Sequence, residues 1–297
     1  MSTIMGLERV SIEKLVNDVR DLPALPDVAL KVLRMTELPD VSAKDVAKVI
    51  ATDQAFTARV LRLSNSAHYG MPRSITTVTD AAVLLGMRSL RTMAITAATY
   101  DLLKRELKSY MLGRGELWRH SVGCAIATQI LAKRTGYRAA EEAFVAGLLH
   151  DVGKVILHTH LAKHTDAVAA MVEAGEMTFC EVERELLGFD HAEVGGRVAE
   201  KWNLPPSLVE TISEHHEPVR NGKVAPLTAL VHLSNAICVT AGIGVGVSGA
   251  SYPLCNEALH ALNLKTHDLE ATLAELMNVI VQQQPMFDLE NAVETKK

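Results

Sequence analysis

The chain of 297 residues carries 30 Lys and Arg against 35 Asp and Glu, a formal net charge of −5. It therefore has no overall attraction to nucleic acid or an anionic membrane, and no basic run with interleaved aromatics supplies one locally. With 48% hydrophobic but only 4% aromatic residues, the core must be built largely from Ala, Leu, Val and Ile, several of them strong helix formers, which points to an all-α fold.

The first residues lack the uninterrupted apolar stretch of a signal peptide, and no later run reaches a membrane-spanning length, so a cytoplasmic protein is expected. Apolar residues at helical spacing (Ile12, Leu15, Val16, Val19, then Val28, Leu30, Val32, Leu33) predict two helices parted by Leu22-Pro23-Ala24-Leu25-Pro26. Ser42 with Asp45 resembles a capping box, and Asp53 opens a further helix with Phe56, Val60 and Leu63 on one face. A short helix over Thr79–Leu85 is expected to stop at Gly86, with a long helix from Met87 onward. Gly113-Arg114-Gly115 marks the best boundary, dividing an N-terminal helical lobe (1–112) from a C-terminal one (113–297). Helices are expected near 116–134, 139–157, 162–174, 179–186, 191–202, 206–216, 226–240 and 267–283. The fold class is thus all-α, with two packed helical lobes.

Nine of the twelve histidines fall between His120 and His232. His150 and Asp151 sit within the expected apolar helix, where an unpaired carboxylate is costly to bury and a metal ion would remove that cost. Lys154, four residues after His150, is placed to meet a phosphate or an acidic partner. His120, His191 and the pair His215-His216 supply further donors from separate helices. Imidazole mixed with carboxylate suits iron, manganese, zinc or nickel. The four cysteines, Cys124, Cys180, Cys238 and Cys255, form no C-x-x-C pair; they read as buried thiols, and the absence of nearby thiolates argues against a structural zinc site. A lone histidine on a helix is usually a surface or packing residue, which is the reading for His68, His158, His160, His164, His260 and His267; His232 stays open. Gly244 to Gly249 spells the dinucleotide-binding pattern, but a helical stretch precedes it and Tyr252-Pro253 follows, so it reads as a loop, with no nicotinamide or flavin.

These residues resemble the HD superfamily of metal-dependent phosphohydrolases, named for the doublet that His150-Asp151 matches, and more fully its HDOD subfamily. The resemblance is carried by Leu22-Pro23-Ala24-Leu25-Pro26, Asp53-Gln54-Ala55-Phe56, Arg62 to Gly70, Leu84-Leu85-Gly86-Met87, Trp118-Arg119-His120-Ser121, Leu148 to Lys154, Asp190 to Gly195, Lys201 to Pro205 and His215-His216-Glu217-Pro218, in order from about Leu22 to Ala236. It implies an HD-like C-terminal lobe and a role in bacterial signal transduction, as an output or protein-interaction module without an established general activity. Carried over from the related HD-GYP phosphodiesterases, the ligand pattern matches His120, His150, Asp151, His191, His215 and His216. Two departures stand out: the distal aspartate is replaced by Asn235, a degraded ligand position, and no Gly-Tyr-Pro follows Glu217. The resulting expectation is a non-catalytic signalling module that holds metal and recruits another regulatory protein. The alternative is a phosphohydrolase acting on a nucleotide or other phosphoester, with Lys154 as the candidate for charge stabilisation.

Overall fold

The chain is described from a computed structural model, which gives residues 11, 12, 15, 25–36, 38–66, 68–71, 74–173, 177–244, 252–282 and 284–287. Most of the first expected helix and its Leu22-Pro23-Ala24 break, the Val245 to Gly249 part of the glycine-rich stretch and the polar C-terminal residues lie outside the described residues.

The first helices start where the sequence places their caps. Before α1 (Asp27–Met35) stands Pro26, which cannot donate to a helix anyway. Ser42 Oγ accepts from the Asp45 N–H at 3.2 Å and opens α2 (Ala43–Ile50), and Asp53 accepts from the Phe56 N–H at 2.9 Å to open α3 (Gln54–Ser64). α4 (Val78–Leu103) is broken at Gly86, whose φ of 80° and ψ of 175° only glycine adopts readily, so the expected stop and restart are both present. From Lys104 to Gly115 the chain is tied back on itself. Leu107 and Leu112 exchange backbone hydrogen bonds, and the Gly115 N–H donates to Lys104 O at 2.9 Å.

The remaining helices are α5 (Glu116–Thr135), α6 (Ala140–Leu149), α7 (Gly153–Leu161), α8 (Thr165–Glu173), α9 (Phe179–Leu187), α10 (His191–Lys201), α11 (Pro206–Glu214), α12 (Pro226–Thr240), α13 (Asn256–Ala261), α14 (Thr266–Gln282) and α15 (Gln284–Phe287). Between α11 and α12 a small antiparallel hairpin pairs β1 (Val219–Arg220) with β2 (Lys223–Val224). The fold is all-α apart from this hairpin among the described residues. Helices α1, α2 and α3 pack on α4, whose later part lies against α6; α5, α6 and α12 form the centre, and α10 with α11 closes over α7. One continuous apolar core joins these layers, from Leu33 and Leu90 through Phe144 and Leu149 to Leu230 and Leu276.

One expected helix is broken in two. The stretch anticipated as 139–157 is two helices, with His150, Asp151 and Val152 in the turn between them. The cause is contact rather than a breaker residue. A Cβ on Gly153 would stand 1.9 Å from His191 O and 2.7 Å from the Gly195 N, so the chain bends here to lay its backbone on α10.

Candidate metal centre

The bend decides the site's geometry. In a straight helix His150 and Asp151 would diverge by about 100°; in the turn both face the gap between α5, α10, α11 and α12. His120 comes from the first turns of α5, His191 is the first residue of α10, and His215 caps the end of α11 with His216 just beyond it. The expected helix to 216 thus ends at Glu214. All six residues expected as ligands converge.

Four of the five imidazoles are oriented by a hydrogen bond through Nδ1. The His150 Nδ1–H donates to Gly147 O at 2.7 Å, that of His215 to Ile212 O at 2.8 Å, and that of His120 to Ile243 O at 2.9 Å. Carbonyl oxygens only accept, so these bonds fix the proton on Nδ1 and leave the Nε2 lone pair free. His191 instead turns its Nδ1–H to the Glu183 carboxylate at 2.8 Å, which also accepts the His191 backbone N–H at 2.7 Å and the Tyr110 hydroxyl at 2.6 Å.

Asp151, with no exposed surface, lies between the Nε2 atoms. Oδ1 is 3.2 Å from His191 Nε2 and 3.8 Å from His215 Nε2; Oδ2 is 3.6 Å from His120 Nε2 and 3.5 Å from His150 Nε2. His216 Nε2 meets His191 Nε2 at 2.9 Å. Lys154 Nζ reaches Asp151 Oδ2 at 2.6 Å, so the lysine expected to face a phosphate or acidic partner has an acidic partner inside its own chain.

Burial and charge set the protonation of the group. Burial pushes His150 down to about 4 against the pull of Asp151, and holds His120, His215 and His216 below their ordinary value. Burial opposes the His191 cation too, but the Glu183 carboxylate outweighs it and raises this ring to about 9. Desolvation would raise Asp151, yet the Lys154 ammonium and His150 keep it well below the usual carboxylate range. Neutral His120, His150, His215 and His216 and an ionised Asp151 are in the forms that bind metal, and His191 must release a proton to join them.

The donors fit a divalent cation on a structural observation. His150 Nε2, His215 Nε2 and Asp151 Oδ1 are buried polar atoms with no hydrogen-bond partner, and they face one another. Asp151, His191, His215 and His216 offer four ligand atoms within 4.8 Å of one another. Iron, manganese, zinc and nickel all accept such a mixture.

The model of the HDOD domain matches residues 22–218. The chain belongs to the HDOD family. It is 30% identical to an HDOD domain protein of unknown function from Geobacter sulfurreducens, whose crystal structure superposes with a TM-score of 0.73 over 93% of this chain and 96% of that one. A candidate phosphohydrolase from Shewanella amazonensis SB2B is 26% identical, with a TM-score of 0.73 over 95% of this chain and 99% of that one. An uncharacterized protein of Treponema pallidum (strain Nichols) is 29% identical over 228 residues, 73% of this chain but 42% of that protein. The HDOD chain thus spans less than half the length of this relative.

Beyond the matched region, the HDOD chain adds the β1–β2 hairpin and helices α12 to α15. Asn235 on α12 puts its side-chain amide against His120 Nε2 at 3.1 Å. The atom facing Nε2 is Asn235 Oδ1; with the His120 proton on Nδ1, the pair completes a hydrogen bond only with the amide turned over to present its N–H. His232, left open by the sequence, is a clamp: its Nε2 accepts the Cys255 N–H at 3.0 Å, so its Nδ1–H donates to His215 O at 2.9 Å. Tyr252 donates its hydroxyl to the same carbonyl at 3.1 Å. A cavity of about 280 Å³, lined by His216, Val219, His232, Leu254 and Cys255 among others, touches the group at His216.

The sequence reading missed Glu183, Tyr110, Tyr252 and Cys124. Cys124 stands one turn after His120 with Sγ 3.5 Å from its Nε2, which corrects the expectation that no thiol is near; the i, i+4 spacing was the signal. For Tyr110, 73 residues from Glu183, the sequence carries none.

Proposed function

We propose that this HDOD chain is a bacterial regulatory module in which a divalent transition metal, held by His150, Asp151, His191, His215 and His216, ties α6, α7, α10 and α11 together, and that its surface recruits another regulatory protein without turnover. The observation that carries the non-catalytic part is the pairing around Asp151. Lys154 occupies Oδ2 and Asn235 occupies His120 Nε2, so the groups that would carry a second cation and its hydroxide are engaged by the protein itself. An amide at 235 also supplies neither negative charge nor a proton acceptor.

Metal-dependent phosphoester hydrolysis is the second reading. It is favoured by the likeness to the candidate phosphohydrolase and by the cavity that ends at His216. In that reading a bound metal would acidify water and polarise a phosphoryl oxygen, and Lys154 would leave Asp151 for the phosphate. The deciding experiment is turnover by protein loaded with manganese or iron, screened against nucleotides and cyclic dinucleotides with His150→Ala alongside. No turnover is expected. Hydrolysis that disappears in His150→Ala would overturn the non-catalytic reading, and elemental analysis of the purified chain, expected to find bound transition metal, tests the metal.

A further inference from the structure

One side chain outside the cluster stitches two of its ligand-bearing turns together. Arg184, on α9 directly after Glu183, places Nη2 2.7 Å from Asp190 Oδ2 and Nη1 2.6 Å from Glu217 Oε1. Asp190 precedes His191 and Glu217 follows His216, and the two histidines so flanked meet at 2.9 Å through Nε2. The arms of this clasp are unequal. Asp190 has only 1% of its side chain exposed and caps α10 by accepting the Glu193 N–H at 2.9 Å, so removing its cation would strand a buried carboxylate. Glu217 has 56% of its side chain exposed, and an ion pair in water adds little stability and opens readily. Arg184 therefore stays on Asp190 while its hold on Glu217 opens and closes.

Exposure shows what lies behind the opening arm. His120, His150, Asp151, His191 and His215 are buried, whereas His216 is half-buried, and the cavity that touches His216 is lined by Glu217 as well. We infer that the Arg184–Glu217 pair is a latch on the route by which a divalent cation reaches and leaves the cluster past His216, with Asp190 as its fixed post. The inference rests on the reading above that the cluster holds metal, and it adds control of exchange. Entry and exit both need the open form, so a latch slows the two by the same factor. The equilibrium affinity is left alone, because neither state of the latch contributes a ligand.

The test is zinc(II) exchange in the full chain, with release read by transfer to an excess of chelating dye and uptake by stopped-flow mixing of the metal-free chain with zinc. Glu217→Gln should speed release and uptake alike, each by up to about fivefold, which is what the loss of one exposed pair supplies, with affinity unchanged. Salt at about 1 M, where charges are screened beyond about 3 Å, should speed the unaltered chain in the same way and leave Glu217→Gln where it is. Arg184→Lys keeps a cation for Asp190 but lacks the fork that spans both carboxylates. It should match Glu217→Gln, and the double variant should be no faster than either. Three results would overturn the latch while the metal reading stands: rates unchanged in Glu217→Gln, an Arg184→Lys chain as slow as the unaltered one, or faster release without faster uptake, which would make Glu217 a group that holds the ion. A chain that takes up no zinc would overturn the metal reading and this inference with it.

Discussion

The helix caps before residue 104 and the imidazoles around Asp151 differ in what their hydrogen bonds leave over. In the first region the helix caps close locally: Ser42 with Asp45, Asp53 with Phe56 and Thr77 with Asp80 each span three residues. Around the site some reach far along the chain, from His120 to Ile243 over 123 residues and from Tyr110 to Glu183 over 73. Local caps satisfy a helix end and stop there. His150 and His215 are turned by the carbonyls of Gly147 and Ile212 three residues back, and their other nitrogen is left unsatisfied and buried, an arrangement that weakens the fold unless a ligand takes up the lone pairs. Variants in the first region should therefore move stability alone, while those in the second should move stability and metal affinity together.

The largest effect should come from Gly153→Ala. Its methyl would meet the backbone of His191 and Gly195, with no flexible side chain to give way. Overpacking costs about 1–3 kcal/mol and more where backbone must shift, so the expected loss is about 3 kcal/mol in chemical denaturation. Metal content should fall with it, because the bend that aims His150 and Asp151 depends on this contact. A Gly153→Ala chain that keeps both stability and metal would show that the turn is set by something other than the approach to α10.

That bend also marks the limit of what the sequence discloses. The caps at Ser42 and Asp53 and the stop at Gly86 were legible because each is a local rule read within a few residues. The crowding of histidines was legible as a count, and the resemblance assigned their roles. The break at His150 was not, since the backbone stays helical at His150 (φ −52°, ψ −36°) and Val152 (φ −57°, ψ −29°) and no proline or capping residue announces it. The break is a tertiary effect that only the position of α10 explains. Glu183 was invisible for a related reason: the chain reverses at Gly188 before His191, so a pair eight residues apart follows no helical spacing.

Glu183→Gln tests the distant bonds with less disturbance. Glutamine keeps the size and can still accept from the His191 ring, but the negative charge behind that ligand is gone. Such supporting groups are worth about 10–100-fold in metal affinity, and that is the loss expected in competition with a chelating dye. A change below about twofold would mean that His191 contributes position without charge, and that the metal is held chiefly by Asp151, His215 and His216.

The smallest effect, and the sharpest control, is Ser42→Ala. Its hydroxyl accepts one otherwise unsatisfied N–H and donates to Asp45 Oδ2 at 2.6 Å, on an exposed helix end. Losing a cap of this kind costs about 1 kcal/mol. Local closure implies that the denaturation midpoint falls by that amount while metal affinity and stoichiometry stay unchanged. Packing through the shared core, from α2 through α4 to α6, is the route by which this cap could reach Asp151 among the described residues. A shift in affinity for Ser42→Ala would therefore mean that packing between the two regions transmits strain to the metal centre.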